Sequence, residues 1–557
     1  MEVAVQPGIE REHKHRPGFW RAGVLLSALL LALPVLVVFS FVFVPADEVW
    51  RHLAGTVLAD YLGNTSMLAL GVAFGVLLLG IPTAWATTVY EFPGRRLLEW
   101  ALLLPLAIPA YIIAYTYTGL LDFAGPVQGL LRSIFGWSAG EYRFPEVRSL
   151  GGAVLMLSLV LYPYVYMMSR ASFLSQSLST LEAGRVLGAG PWRVFFRIVL
   201  PLARPAVVTG LSLALMETLA DYGTVQYFGI ATFTTGIFRT WFGLNDSAAA
   251  AQLAALLMSF VFVLILLEQY SRRRLRFYQT SGRYRHLQRH RVHGYRKWAV
   301  LLLCLLPLTF GFLIPAGQLL VWAFSIAEET LDQHFFQLVG HTLTLAVSAA
   351  LITLMLALFL GYGRRLYPSR RIAFAVRLSA MGYAVPGTVI AVGVMLPFAW
   401  LDNHIDDWMR AYFGISTGLL FSGTLFILLF AYAVRFLAVS LQSVESGLAR
   451  VTPNMDDAAR SLGYSPGRVL RKIHLPIMRG ALFSALLLVF VDVLKELPAT
   501  LILRPFNFNT LAVRAYELAS DERLADSSVA ALTIVAVGVL PVIMLSRAVS
   551  RSGQRDA

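Results

Sequence analysis

The sequence predicts an all-α polytopic membrane protein of about twelve transmembrane helices in two parallel six-helix repeats. Three observations predict it. The 557-residue chain is 57% hydrophobic and only 14% charged. Apolar runs long enough to cross a bilayer recur along its length, and its basic residues collect in alternate loops. A soluble domain carries about 25% charged residues, and a longer soluble chain still needs a charged surface. This surface therefore faces something other than water.

Runs of about 18 or more apolar residues can each cross the roughly 30 Å hydrocarbon core as a helix. They fall near 22–44, 62–90, 98–121, 150–169, 205–225, 248–267, 298–325, 342–363, 372–400, 417–440, 480–503 and 528–546. The first run has no small-residue cleavage motif after it and reads as a retained helix rather than a signal peptide. Pro34, Pro82, Pro109, Pro163 and Pro386 fall inside runs. Packed membrane helices tolerate such prolines, which cost about 3 kcal/mol in a soluble helix.

With twelve spans, 36 of the 46 basic residues fall on one side. The other side holds nine (Arg51, Arg132, Arg143, Arg148, Arg239, Arg410, Arg504, Arg514 and Arg523), and Lys495 lies within a run. The positive-inside bias places the first side, with both termini, in the cytoplasm. The opposite loops carry acids instead: Glu328, Glu329 and Asp332; Asp402, Asp406 and Asp407; Glu517, Asp521, Glu522 and Asp526. The net charge of +14 is thus a topology signal, and nucleic acid is not an expected partner. The basic segment 271–297 reads as a cytoplasmic linker against anionic lipid headgroups. Its His286, His290 and His293 alternate with arginines that would repel a bound cation. The single cysteine, Cys304, excludes an intramolecular disulfide.

The chain divides into an N-terminal tail (1–21), a first repeat (22–270), the linker (271–297) and a second repeat (298–557). Asn64-Thr65 matches His341-Thr342, and Pro109 matches Pro386, both at an offset of 277. Glu182-Ala183, Gly188 and Leu200-Pro201 match Asp457-Ala458, Gly463 and Leu475-Pro476 at an offset of 275. Six spans per repeat give both halves the same orientation, with a pathway between them about an axis along the membrane normal.

The repeated loops, 172–204 and 442–479, each read as a short helix ended by glycine and then a second helix with proline in its first turn. The second loop carries Asp457, Ala458 and Ala459 before Gly463. An amphipathic helix of this kind can insert into a groove of a soluble partner or lie in the lipid interface; two spaced copies favour docking.

This Glu-Ala…Gly…Pro pattern resembles the "EAA" coupling motif of inner-membrane permeases in binding-protein-dependent ABC importers, with Asp457 replacing the usual glutamate. The duplicated layout, with Glu217–Thr224, Phe233–Ile237, Leu494–Thr500, Arg504–Phe506 and Leu511–Tyr516, is similar to the fused permeases of the ferric iron importer family. The resemblance implies ATPase coupling through Glu182, Ala183, Gly188, Leu200, Pro201, Asp457, Ala458, Ala459, Gly463, Leu475 and Pro476. It also implies a cytoplasmic ATPase dimer holding ATP and Mg, and an extracytoplasmic substrate-binding protein. Related permeases carry thiamine, phosphonates or other small solutes. The chain has four lysines, none after a glycine, so it has no Walker A loop of its own. No cofactor is expected on it. No metal-ligand cluster or nucleophile motif stands out, so no catalytic or metal residue is predicted.

Glu217 and Asp221 are four residues apart, as are Asp492 and Glu496, with Lys495 alongside; that spacing puts each pair on one helix face. Charge within a membrane usually faces protein or water. These residues either line the pathway and attract a cation or fix packing by pairing. An ion-coupled secondary transporter is the rival class, resting on the membrane acids without docking loops.

Overall fold

A computed structural model describes residues 18–138, 140–175, 190–273 and 290–555. Eleven described helices are long and apolar enough to cross a membrane, or twelve if one sharply bent pair is counted as a span. The first half contributes α1 (Gly18–Ser40), α2 (Leu58–Val89), α3 (Ala110–Leu121), α4 (Leu150–Ser175), α5 (Leu200–Ala220) and α6 (Ser247–Arg273). The second half contributes α7 (Ile314–Thr330, continuous with Tyr295–Leu308 through a π turn), α8 (Gln333–Leu366), α9 (Gly387–Phe413) and α10 (Leu425–Leu448). It continues through α11 (Pro453–Ser461), α12 (Leu475–Leu494) and α13 (Leu524–Arg555). The described strands are two-residue pieces, Tyr90–Glu91 paired parallel with His290–Arg291. They bring the end of the basic linker back beside α2.

The prolines divide into two classes. Pro34, Pro82 and Pro163 sit inside α1, α2 and α4. Pro109 and Pro386 instead stand at the N-caps of α3 and α9 with nearly equal backbone angles, φ −57° ψ 142° and φ −54° ψ 143°. The residue before a proline avoids the helical region, so the runs 98–121 and 372–400 are not single straight helices. In the first half the segments before and after the break meet at 91°. The Leu-Pro pairs have their own effect. Leu200-Pro201 and Leu475-Pro476 each follow a five-residue π turn, Phe195–Val199 and Leu470–His474. Proline cannot donate to the carbonyl four residues back, and a widened turn accommodates the loss.

The register of the repeat is visible in tertiary contacts. Thr65 Oγ1 accepts from the Phe233 N–H at 3.3 Å, and Thr342 Oγ1 accepts from the Leu511 N–H at 2.9 Å. Asn64 donates to the Ala231 carbonyl at 2.9 Å, while His341 stacks on Phe508 with ring centroids 4.6 Å apart. These four residues are the ones that match across the repeat in sequence.

Packing does not follow the two repeats. One core joins α8, α9, α10 and α12 to Val24, Ala28 and Leu31 of α1 and Leu253, Leu257 and Val261 of α6. The other joins α2–α5 to Leu319 of α7 and Ile534 of α13. Each half thus lends outer helices to the core of the other. Glycines permit the crossing contacts. A Cβ on Gly393 would stand 2.4 Å from the Pro34 carbonyl oxygen of α1, and one on Gly311 would stand 2.7 Å from the Leu159 carbonyl oxygen of α4. Backbone oxygens cannot swing aside as a side-chain tip can. Gly393→Ala and Gly311→Ala are each expected to destabilise by about 1–3 kcal/mol. The check is the thermal midpoint of the detergent-purified chain, and the two losses should add because the sites share no partner.

Candidate functional site

Two helices end early, and the same device ends both. The α5 helix stops at Ala220 and Asp221 turns to extended backbone (φ −67°, ψ 128°). Its carboxylate accepts from the N–H of Thr224 and Val225, both at 3.1 Å, and from Thr224 Oγ1 at 2.9 Å. It thereby caps the short helix Gly223–Tyr227. In the second half α12 stops at Leu494, and Glu496 caps Pro498–Leu503. Glu496 accepts from the N–H of Ala499 and Thr500, both at 3.0 Å, and from Thr500 Oγ1 at 2.7 Å. The first N–H groups of a helix lack intrahelical partners, and an anion there also complements the helix dipole. Glu217 and Asp221 therefore do not share one helix face, because the helix has ended between them. The same holds for Asp492 and Glu496.

These breaks border a cavity of about 110 Å³ between the two halves. Glu217 and Asp221 line it from one side; Asp492, Lys495, Glu496 and Arg435 line it from the other. Arg435 belongs here rather than with the basic loops to which charge counting assigned it. It lies within α10 and its guanidinium meets Glu496 at 3.2 Å. Lys495 meets Asp492 at 3.0 Å. The acids then separate by task. Asp221 and Glu496 hold backbone, Asp492 holds Lys495, and Glu217 has no hydrogen bond or ion pair among the described residues. Tyr111 also lines the cavity, with a buried hydroxyl that has no described partner. Among the described residues no group of three or more His, Cys, Asp or Glu is placed to hold a metal ion.

The other predicted residues lie at the end of the bundle that carries the basic loops. Glu182, Ala183 and Gly188 fall outside the described residues. Leu200 and Pro201 open α5, and Leu475 and Pro476 open α12. In α11, Ala459 is buried while Asp457 is 72% exposed and only 3.8 Å from Arg460. Gly463 follows with φ +76°, a left-handed turn that glycine adopts without strain.

The less exposed acid of this loop is the preceding residue, Asp456, whose side chain is 13% exposed. Its Oδ2 accepts from Arg365 Nε at 2.9 Å, and its Oδ1 accepts from His474 Nε2 at 2.6 Å. The Asp-Asp doublet gave no reason to choose it over Asp457, since both partners are distant in sequence. Burial alone would raise the Asp456 carboxyl, but the bonds from His474 and Arg365 outweigh it and hold it below its ordinary value.

Two measurements test these assignments. Glu496→Gln leaves Arg435 buried without its counter-charge and is expected to cost about 3–5 kcal/mol. A sharply lowered thermal midpoint would register it, whereas Glu217→Gln should leave the midpoint unchanged. For Asp456 the folded value is depressed, so its stabilisation is complete above the ordinary aspartate value and lost as pH falls through the lowered one. The groups facing it are Arg365 and His474, with Tyr362 beside the imidazole. The stability gap between the natural chain and Asp456→Asn should narrow only below about pH 4.

Comparison with known proteins agrees with this arrangement. Residues 76–277 match the family described as binding-protein-dependent transport system inner membrane component. The chain is 26% identical over 549 residues to the Fe(3+)-transport system permease protein FbpB 2 of Haemophilus influenzae, covering 96% of this chain and 99% of that protein. It is 23% identical to the ferric transport system permease protein FbpB of Actinobacillus pleuropneumoniae, covering 86% of this chain and 71% of that protein. It is also 31% identical over 206 residues to the molybdenum transport system permease protein ModB of Haemophilus influenzae, covering 36% of this chain and 87% of that protein. These matches lead to one assignment: the chain belongs to the family of binding-protein-dependent transport system inner membrane components.

Proposed function

We propose that this chain is the permease subunit of an ATP-driven importer for ferric iron, passing the solute between its two repeats by alternating access. One observation carries the reading. The helical runs Trp192–Ala220 and Pro466–Leu494 each start beside a repeat loop at the basic end. Near their other ends they carry Glu217 and Asp492, which line the central cavity. A push on either loop is therefore delivered along one continuous helix to the wall of the cavity. A secondary transporter has no use for such a linkage, since its coupling ion binds in the membrane.

In this reading a cytoplasmic ATPase dimer, holding ATP and Mg, receives the two loop helices. An extracytoplasmic binding protein delivers solute at the acidic end. Moving Arg435 into the membrane leaves 35 basic residues on the loop side against nine opposite, which still favours a cytoplasmic basic end with both termini inside. Ferric iron is favoured over thiamine, a phosphonate or molybdate because the relatives named for ferric transport align along most of this chain, whereas the molybdenum relative covers 36% of it.

The test is uptake of radiolabelled ferric iron by cells that depend on this chain. Deleting it should abolish ATP-driven uptake, and the natural sequence should restore it. Gly463→Asp should not, because a side chain at φ +76° strains the loop by about 1–3 kcal/mol. Unchanged iron uptake with loss of another solute would overturn the iron assignment. Uptake abolished by a protonophore but untouched by loss of the ATPase would overturn the importer class.

A further inference from the structure

In the second half, the last turns of α8 gather every neighbouring element. Arg365 spreads its guanidinium over the Leu448 carbonyl at 2.6 Å, the Val451 carbonyl at 2.7 Å and the Asp456 carboxylate of α11 at 2.8–2.9 Å. Asp456 also takes the His474 Nε2 proton, and the His474 ring is fully buried. A carboxylate can only accept here, so the imidazole proton is on Nε2. Tyr362, one turn before Arg365, meets the His474 ring edge-on at 5.3 Å and donates to the Pro466 carbonyl at 2.7 Å. One carboxylate thus ties α11 both to α8 and to the turn that opens α12.

At the matching positions the first half carries other residues, and its described ion pairs nearby join Arg95 and Arg170 to Glu99. At the repeat offsets of 277 and 275, Trp85 stands for Tyr362, Thr88 for Arg365, Leu181 for Asp456 and Val199 for His474. Trp85 packs on Phe173 and Phe195, with ring centroids 5.5 and 4.9 Å away. A guanidinium held at once by one carboxylate oxygen and two backbone carbonyls is fixed in both distance and orientation.

We propose that Asp456 is the positioning residue that clamps the second loop helix to α8 and α12, so that a push from the ATPase on that helix reaches α12 without slack. The functional half of this proposal rests on the importer reading; the clamp itself does not. The exposed Asp457, which occupies the motif's acidic position, is not part of the clamp.

The experiment has one arm for each half. In purified full-length chain with Cys304→Ala, a nitroxide at Leu462→Cys, just beyond α11, reports the helix directly. Its spectrum should be slow in the otherwise natural chain and in Asp457→Asn, and fast in Asp456→Asn. Arg365→Lys, which keeps the charge and loses the fork, should loosen the label to a smaller degree and decides the matter if Asp456→Asn does not fold. His474→Gln keeps a donor and should stay slow. In the assembled complex, Asp456→Asn should raise ATP hydrolysed per ferric ion taken up by at least about tenfold, the factor set by losing a hydrogen bond between charged partners. A label that stays slow in both Asp456→Asn and Arg365→Lys, or that loosens equally in Asp457→Asn, overturns the clamp. A fast label with an unchanged ratio overturns the positioning role. Uptake that needs no ATPase defeats the importer reading and leaves the label result standing.

Discussion

Inside a bilayer no water is available for a backbone N–H that loses its helical partner, and each such group costs several kcal/mol if left open. Interrupting a helix in mid-protein is therefore possible only where something else satisfies the freed groups. Asp221 and Glu496 do this, each bonding two backbone N–H groups and a threonine hydroxyl of the helix that follows. Because those breaks are stable, α5 and α12 can stop short and leave a cavity with polar walls between the halves. Remove the caps and the continuous helix would fill the space.

The same acids explain how much could be read without coordinates. The spans and the matched register of Thr65 and Thr342 were legible because each rests on a local pattern, apolar run length and fixed spacing. Glu217, Asp221, Asp492, Lys495 and Glu496 were legible as a group because charge in an apolar run is conspicuous. Their roles were not, since hydrogen bonding decides them and a spacing of four residues assumes a helix that has already ended. Arg435 was missed because it adjoins the end of an apolar run and looks like a loop arginine. Asp456 was passed over for Asp457 because its partners, Arg365 and His474, are brought to it only by tertiary structure. The bends at Pro109 and Pro386 were equally hidden, since a proline inside an apolar run reads the same whether the helix absorbs it or ends there.

Placement of charge separates the two ends of the mechanism. At the cavity the fixed charges are paired or used as caps, which leaves Glu217 as the acid without a described partner. At the cytoplasmic end the charges tie helices to one another, Arg170 to Glu99 in the first half and Arg365 to Asp456 in the second. The residues of the second tie, Arg365, Asp456 and His474, give way to Thr88, Leu181 and Val199 at the matching positions.

The crossing of α1 and α7 between cores bears on how the chain is made. The helix α1 is synthesised first, yet Phe359, Gly363 and Gly393, the residues on which Gly23, Val24 and Pro34 rest, leave the ribosome hundreds of residues later. Until then α1 has its contact with α6, such as Phe39 on Phe262, while the side that will meet α8 and α9 faces lipid or a temporary neighbour. The first half can insert but cannot finish folding, and neither half is a complete unit that could be released alone. Quality control in the membrane therefore has a long interval in which to act on this chain, and a truncated product would display the unfilled side of α1 as its signature.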